Sequence, residues 1–188
     1  MSTALRLTVD EYDAMVTSGA FAGLEGRRIE LIYGELREMP PQGPPHSRAI
    51  AFLNRWSTKH TDEKVVEVRI QMPIVVSELD SQPEPDIVWS QQSATAVDRH
   101  PSSKEVFLLI EVGDATLRSD LREKARLYAR AGIVDYWVVD LQSRGIHLFR
   151  EPSTQGFARH ETVRQGEVFP LAFPDVKLSL TELFEWLR

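Results

Sequence analysis

The sequence predicts a mixed α/β fold (α+β by some schemes), with a central mixed sheet flanked by helices. Three observations lead there. An almost continuously apolar run, VFLLIEV at 106–112, reads as a central strand covered on both faces. A helix-periodic segment follows, and then a second apolar run, DYWVVDL at 135–141; strand, helix and strand at this spacing imply a parallel pair. Hairpin signals at 28–39 and near the C-terminus add antiparallel strands.

Each element has its own warrant. Thr8 followed by Glu11 forms a capping box, and Tyr12, Met15 and Val16 repeat at helical spacing, predicting a helix over 8–18 that Gly19 ends. RIELIYGELREM places β-type residues on both sides of Tyr33-Gly34, predicting the hairpin over 28–39. PPQGPPHS is a loop by composition, and the stripe of Ile50, Leu53 and Trp56 beyond it predicts a helix over 45–59. KVVEVRIQMPIVV at 64–76 reads as a strand with Pro73 at an edge or bend, and 85–89 as a second strand. After a polar stretch at 90–104 come the first apolar run, a helix over 119–131, a turn at Gly132 and the second apolar run. A hairpin of 144–149 with 157–163 and a helix over 180–187 close the chain.

Bulk properties narrow the function. With 188 residues the chain is expected to form one domain, residues 1–188. Twenty-eight acids against 22 Lys and Arg give a formal charge of −6, which opposes nucleic acid over the surface as a whole while allowing a local basic groove. There is no cysteine, so disulfides and thiolate chemistry are excluded and any metal must take oxygen or imidazole ligands. The N-terminus is interrupted by Arg6, Asp10, Glu11 and Asp13, and no apolar run approaches the roughly 18 to 20 residues of a membrane helix, so a soluble cytoplasmic protein is expected. GxxxxGK[ST], GxGxxG and GxSxG are all absent, and the five histidines lack zinc-like spacing.

Two charges interrupt the interior pattern. Glu111 lies near the end of VFLLIEV, and Lys124 falls in the helix that follows. With Leu121 at zero and about 100° per residue, Arg122, Glu123, Arg126 and Arg130 occupy about 100–200°, the solvent face, whereas Lys124 at about 300° sits in the apolar arc beside Tyr128, with Asp120 at its edge. Lys124 could snorkel, or pair with Asp120 one turn earlier. A sharper partner is Glu111, at the C-terminal end of a strand, where α/β sheets usually bind ligands. Asp86, in PDIVWS, is a second carboxylate in an apolar strand; it could cap a turn after Pro85, as Glu111 could pair with an arginine. Two such carboxylates require compensation, and with an inward lysine they form a site suited to a hard divalent cation acting on a phosphodiester.

The order of hairpin, PHS helix, PDIVWS and LLIEVGDATLRSDLREKARLYARAGIVDYWVVD resembles the Uma2 family of restriction-endonuclease-like proteins, within the PD-(D/E)XK nuclease superfamily, from about Leu7 to Leu187. The resemblance implies a restriction-endonuclease-like core and a metal-dependent endonuclease, with Asp86 and Glu111 holding Mg²⁺ or Mn²⁺ and DNA as the substrate. It implies a catalytic lysine, which the superfamily places two residues after the second acid. Gly113 stands there, and Lys124 matches a position relocated to the helix. Glu30 matches a recurrent upstream acid and His46 a family position; with Asp120, placed to orient Lys124, and Tyr128, they are the accessory candidates. GDAT at 113–116 departs from the SPST-like sequence common in the family. A homodimer is also implied. The contrasting expectation is an inactive nuclease-fold domain that binds DNA or protein, favoured by the acidic net charge and the lack of a strongly basic tract.

Overall fold

The computed structural model describes residues 4–24, 26–93 and 99–188. Helix α1 (Val9–Thr17) begins at Thr8 with the expected capping box. Strands β1 (Ile29–Ile32) and β2 (Glu35–Glu38) pair as a hairpin around Tyr33-Gly34, both residues at positive φ as a tight primed turn requires. Helix α2 (Pro44–His60) starts with two prolines in its first turn, where a missing N–H costs nothing.

The main sheet contains six strands in the order β3 (Val66–Ile70), β4 (Ile87–Gln91), β5 (Val106–Gly113), β6 (Asp135–Asp140), β7 (Gly145–Ser153) and β8 (Gly156–Val163). Within it β5 and β6 pair parallel, and the other neighbouring strands pair antiparallel. The segment joining them is helical from Leu117 to Arg130, but not uniformly: α3 (Leu117–Ser119) passes through a π-helical turn (Asp120–Lys124) into α4 (Ala125–Arg130). A short pair, β9 (Glu167–Val168) with β10 (Leu178–Ser179), precedes α5 (Leu180–Trp186).

Residue alternation in β5 explains the two cores. Leu108, Ile110 and Val112 face α2 and α5, in a cluster built around Trp56, Trp89 and Trp137. Leu109 faces the other way, packing with Val88, Tyr136 and Val138 under Leu127 and Tyr128 of α4. A strand covered on both faces must read as a continuous apolar run, as VFLLIEV does.

Two expectations are modified. The strand expected over 64–76 ends at Ile70, because Gln71 adopts φ 52° and turns the chain before Pro73. Most of the polar stretch at 90–104 leads to a 3-10 turn at Ser103–Glu105, and residues 94–98 of it lie outside the described residues. Among the described residues no helix is long and apolar enough to cross a membrane.

Candidate active site

Antiparallel pairing of Ile87 with Ile110 sets Asp86 opposite Glu111, one step beyond the last pair of the β4–β5 ladder. Residues directly opposite in a ladder share a face, so the register alone brings two acids together from separate strands. Both are buried, each 3% exposed.

Asp86 is held from three directions. The Val112 N–H donates to its Oδ2 at 2.9 Å, the Gln71 side-chain amide donates to Oδ1 at 3.1 Å, and His46 Nε2 lies 3.2 Å from Oδ2. Burial pushes this carboxyl up, but His46, the Val112 N–H and Gln71 together bring it below its ordinary value, so it is ionised. His46 comes from the first turn of α2, and its Nδ1 is buried with no hydrogen-bond partner among the described residues.

Glu111 meets the helix. Lys124 Nζ donates to Oε1 at 2.9 Å, and the Tyr128 hydroxyl donates to the same oxygen at 3.0 Å. Lys124 also lies 3.4 Å from Glu30 Oε2, and Glu30 accepts from the Glu84 N–H at 3.3 Å. Asp120 is buried nearby, but its carboxylate accepts from Thr116 Oγ1 at 2.7 Å rather than pairing with Lys124 within ion-pair distance. Lys124 therefore neither snorkels nor pairs one turn back; it bridges the strand and the hairpin.

Charge is unbalanced in this pocket. Burial pushes Glu111 up to about 8; Lys124 pulls it down, while Asp86, Asp120 and Glu30 add to the rise. Burial also raises Asp120, to about 6, against Lys124 and Thr116. Burial works against the Lys124 ammonium, yet Glu111, Glu30 and Asp120 outweigh it and hold the lysine protonated far above neutrality. One ammonium thus stands among three carboxyl groups, and burial holds the glutamate nearest it well above the usual carboxylate range.

Gly113, two residues after Glu111, is closely covered. A Cβ at this position would lie 2.6 Å from Leu117 Cδ1 and 3.1 Å from Leu117 Cα, because α3 crosses directly over the end of β5. A side chain there would press on Leu117. The π-helical turn then carries Lys124 back over the strand; such turns recur at functional sites.

The donors available to a metal are carboxylate oxygens. Among the described residues no three His, Asp or Glu side chains converge as a ready ligand set. Two carboxylates on adjacent strand ends nonetheless fit Mg²⁺, which takes one or two carboxylates and completes its shell with water and substrate phosphate. Both hydrogen bonds to Glu111 fall on Oε1, so Oε2 is the better placed oxygen for a ligand. A cavity of about 900 Å³ lies elsewhere, lined by α1 and β3 residues such as Asp13 and Arg69 and by none of these groups.

Gln71 has no signal in the sequence that would mark it. Its contact depends on β3 ending at Ile70 and on an uncommon left-handed backbone for a non-glycine residue.

Residues 9–181 match the Uma2 family, described as "Putative restriction endonuclease". No curated protein matches the chain. Among solved structures, a "putative nuclease belonging to DUF820" from Anabaena variabilis ATCC 29413 is similar over 97% of this chain and 99% of its own, with a TM-score of 0.73 and 17% identity, which shows a shared fold. The type IIG restriction endonuclease BpuSI aligns over 76% of this chain and 15% of its own, with a TM-score of 0.42 and 17% identity.

Proposed function

The chain belongs to the Uma2 family, and on that premise we propose that it is a metal-dependent endonuclease hydrolysing phosphodiester bonds, with DNA as substrate. The observation that supports this best is the charge excess around Lys124: Glu30 and Glu111 share one ammonium, Asp120 is buried close by, and Glu111 is pushed up to about 8. A buried group is left in that condition where a further cation belongs.

Asp86 and Glu111 would hold Mg²⁺ or Mn²⁺, which when bound supplies a polarised water and offsets charge developing on the phosphate. The chain's own groups prepare the rest. The Val112 N–H, Gln71 and His46 fix the Asp86 carboxylate, so it need not reorganise on binding. Tyr128 fixes Glu111 by its Oε1. Lys124, steadied by Glu111 and Glu30, presents an ammonium that can donate to the attacking water or to a phosphate oxygen. Asp120 stands behind it as a further negative charge favouring the protonated lysine.

Cleavage of plasmid DNA by purified protein should require Mg²⁺ or Mn²⁺ and fall at least about a hundredfold in folded Glu111→Ala and Lys124→Ala variants, the scale seen when a charge-stabilising group is removed from an active site. Equal cleavage by the triple variant D86A/E111A/K124A would sink the mechanism.

One observation favours a second reading. Glu111 and Lys124 are 3% and 6% exposed, a closed arrangement that also suits an inactive DNA-binding or protein-interaction domain. That domain would bind DNA without taking up metal by calorimetry and without cutting.

A further inference from the structure

A groove of about 380 Å³ runs between the β1–β2 hairpin and α4, lined by Arg6, Tyr33, Arg37, Arg126 and Arg130 together with Glu35 and Glu123. Four arginines face two glutamates here, in a chain whose overall charge is −6. Glu35 is shared by Arg6 at 3.1 Å and Arg37 at 2.6 Å, and Glu123 lies 3.5 Å from Arg37. Neither Arg126 nor Arg130 has a carboxylate within ion-pair distance among the described residues. They stand one helical turn apart, about 5–6 Å between Cβ atoms, where like charges repel.

A second observation points to a ligand. Tyr33 lines this groove, and its hydroxyl is buried with no hydrogen-bond partner among the described residues. Its ring lies 5.6 Å from the Arg130 guanidinium carbon. Arg126 and Arg130 are exposed, and with no carboxylate beside them their N–H groups are open to an anionic acceptor from solution.

The groove adjoins the carboxylate site. Arg37 is the cross-strand partner of Glu30, whose Oε2 lies 3.4 Å from Lys124, and Glu123 immediately precedes that lysine. On the other flank of α4, Arg126 also lines a hollow with Arg122, Phe149, Phe157 and His160, so cationic and aromatic surface continues past the helix.

We propose that this groove binds consecutive phosphates of a nucleic-acid strand beside the metal site, with Arg126 and Arg130 as the principal phosphate contacts. The assignment rests on the nuclease reading above for the identity of the polyanion. Guanidinium groups match phosphate as bidentate donors, and a closely spaced cationic row matches the dense charge of a nucleic-acid backbone. It also resolves how a chain with an acidic net charge would hold its substrate.

Binding of a fluorescent DNA duplex in EDTA, followed by anisotropy over a range of salt, tests this with the whole chain. The double variant R126E/R130E should bind at least about tenfold more weakly, with a log–log salt slope shallower by about two, one for each phosphate that is no longer neutralised. R126K/R130K should keep most of the affinity. K59E/K64E makes the same change in net charge at exposed positions on and just beyond the far end of α2 and should bind as the parent does. Parent-like affinity and slope in R126E/R130E, or an equal loss in K59E/K64E, would overturn the proposal. So would a parental dimer that R126E/R130E splits without changing DNA affinity. If the parent cuts DNA while R126E/R130E binds normally, the groove fails and the nuclease stands; if the groove binds DNA that no divalent metal allows the protein to cut, the nuclease fails and the groove stands.

Discussion

Two buried charge clusters stand at opposite ends of the β5–β6 pair, and they are built differently. At the start of β6, Asp135 is wholly buried and Arg150 donates from Nε to its Oδ1 at 2.9 Å. Trp137 Nε1 and the Leu171 N–H complete the carboxylate's partners, and the Arg150 guanidinium also donates to the Phe169 carbonyl at 2.7 Å. One anion meets one cation, and the pair fastens the segment after β8 to the sheet. At the end of β5 one lysine serves Glu111, Glu30 and Asp120, and His46 Nδ1 is left unpartnered among the described residues. Burial raises both Asp135 and Glu111, but only Glu111 has further carboxylates pressing on it. What separates a structural ion pair from a site poised for a ligand is therefore charge balance and saturation of hydrogen bonds, not burial.

The largest effect expected from this contrast is on the structural pair. Asp135→Ala leaves Arg150 buried without its anion and should cost about 3–5 kcal/mol in urea unfolding. Glu111→Gln, by contrast, reproduces the uncharged form that Glu111 holds near neutral pH and should leave stability there little changed. If both substitutions cost the same, the distinction between the clusters is lost.

Next in size is a pH effect confined to the site. Glu111 keeps its proton in the folded state up to about 8, whereas in the unfolded chain it loses it near 4.5. A raised folded value means that the unfolded chain binds fewer protons across this window, so the stability is fully present below about 4.5 and is lost as pH rises through about 8. Asp120, raised to about 6, adds to the same decline over a narrower range. Unfolding free energy of the metal-free protein should fall by on the order of a few kcal/mol over the window. Glu111→Gln should remove most of that slope. A flat profile in the parent would mean that the site carries no charge excess.

The smallest effect concerns a neutral support. Gln71→Ala removes one hydrogen bond to Asp86 and should cost about 1 kcal/mol of stability. Metal affinity, measured by calorimetry, should fall further than stability does, by about tenfold or more, as is usual when a group orienting a metal ligand is removed. Reduced stability with unchanged affinity would place Gln71 with the structural bonds and not with the site.

The strands and helices were legible because their residues face water or core at a regular period. The parallel β5–β6 pair, the hairpin over 28–39 and the two long helical segments all lie within a few residues of expectation. Lys124 was legible as an inward charge, although the reason is not quite the one that regular helical spacing gives. The uniform step of about 100° per residue does not hold through the π-helical turn, and Lys124 is buried because that turn and the strand beneath it leave it facing Glu111. Asp120, placed at the edge of the apolar arc, proves almost wholly buried, 1% exposed, and bonded to Thr116. Gln71 was invisible, since no local pattern marks a residue whose contact with Asp86 depends on where a strand stops.

Arg122, Arg126 and Arg130 show the same division. Their spacing identified a polar helix face, and no stretch of sequence is strongly basic. Only folding sets Arg6 and Arg37, from segments far earlier in the chain, beside Arg126 and Arg130. By itself the sequence determined the elements, their order and the candidate acids, because periodicity and the cost of burying charge are local quantities. Tertiary structure alone decided which acids share a face and where positive charge gathers, because these depend on strand register and on close approach between segments far apart in the chain.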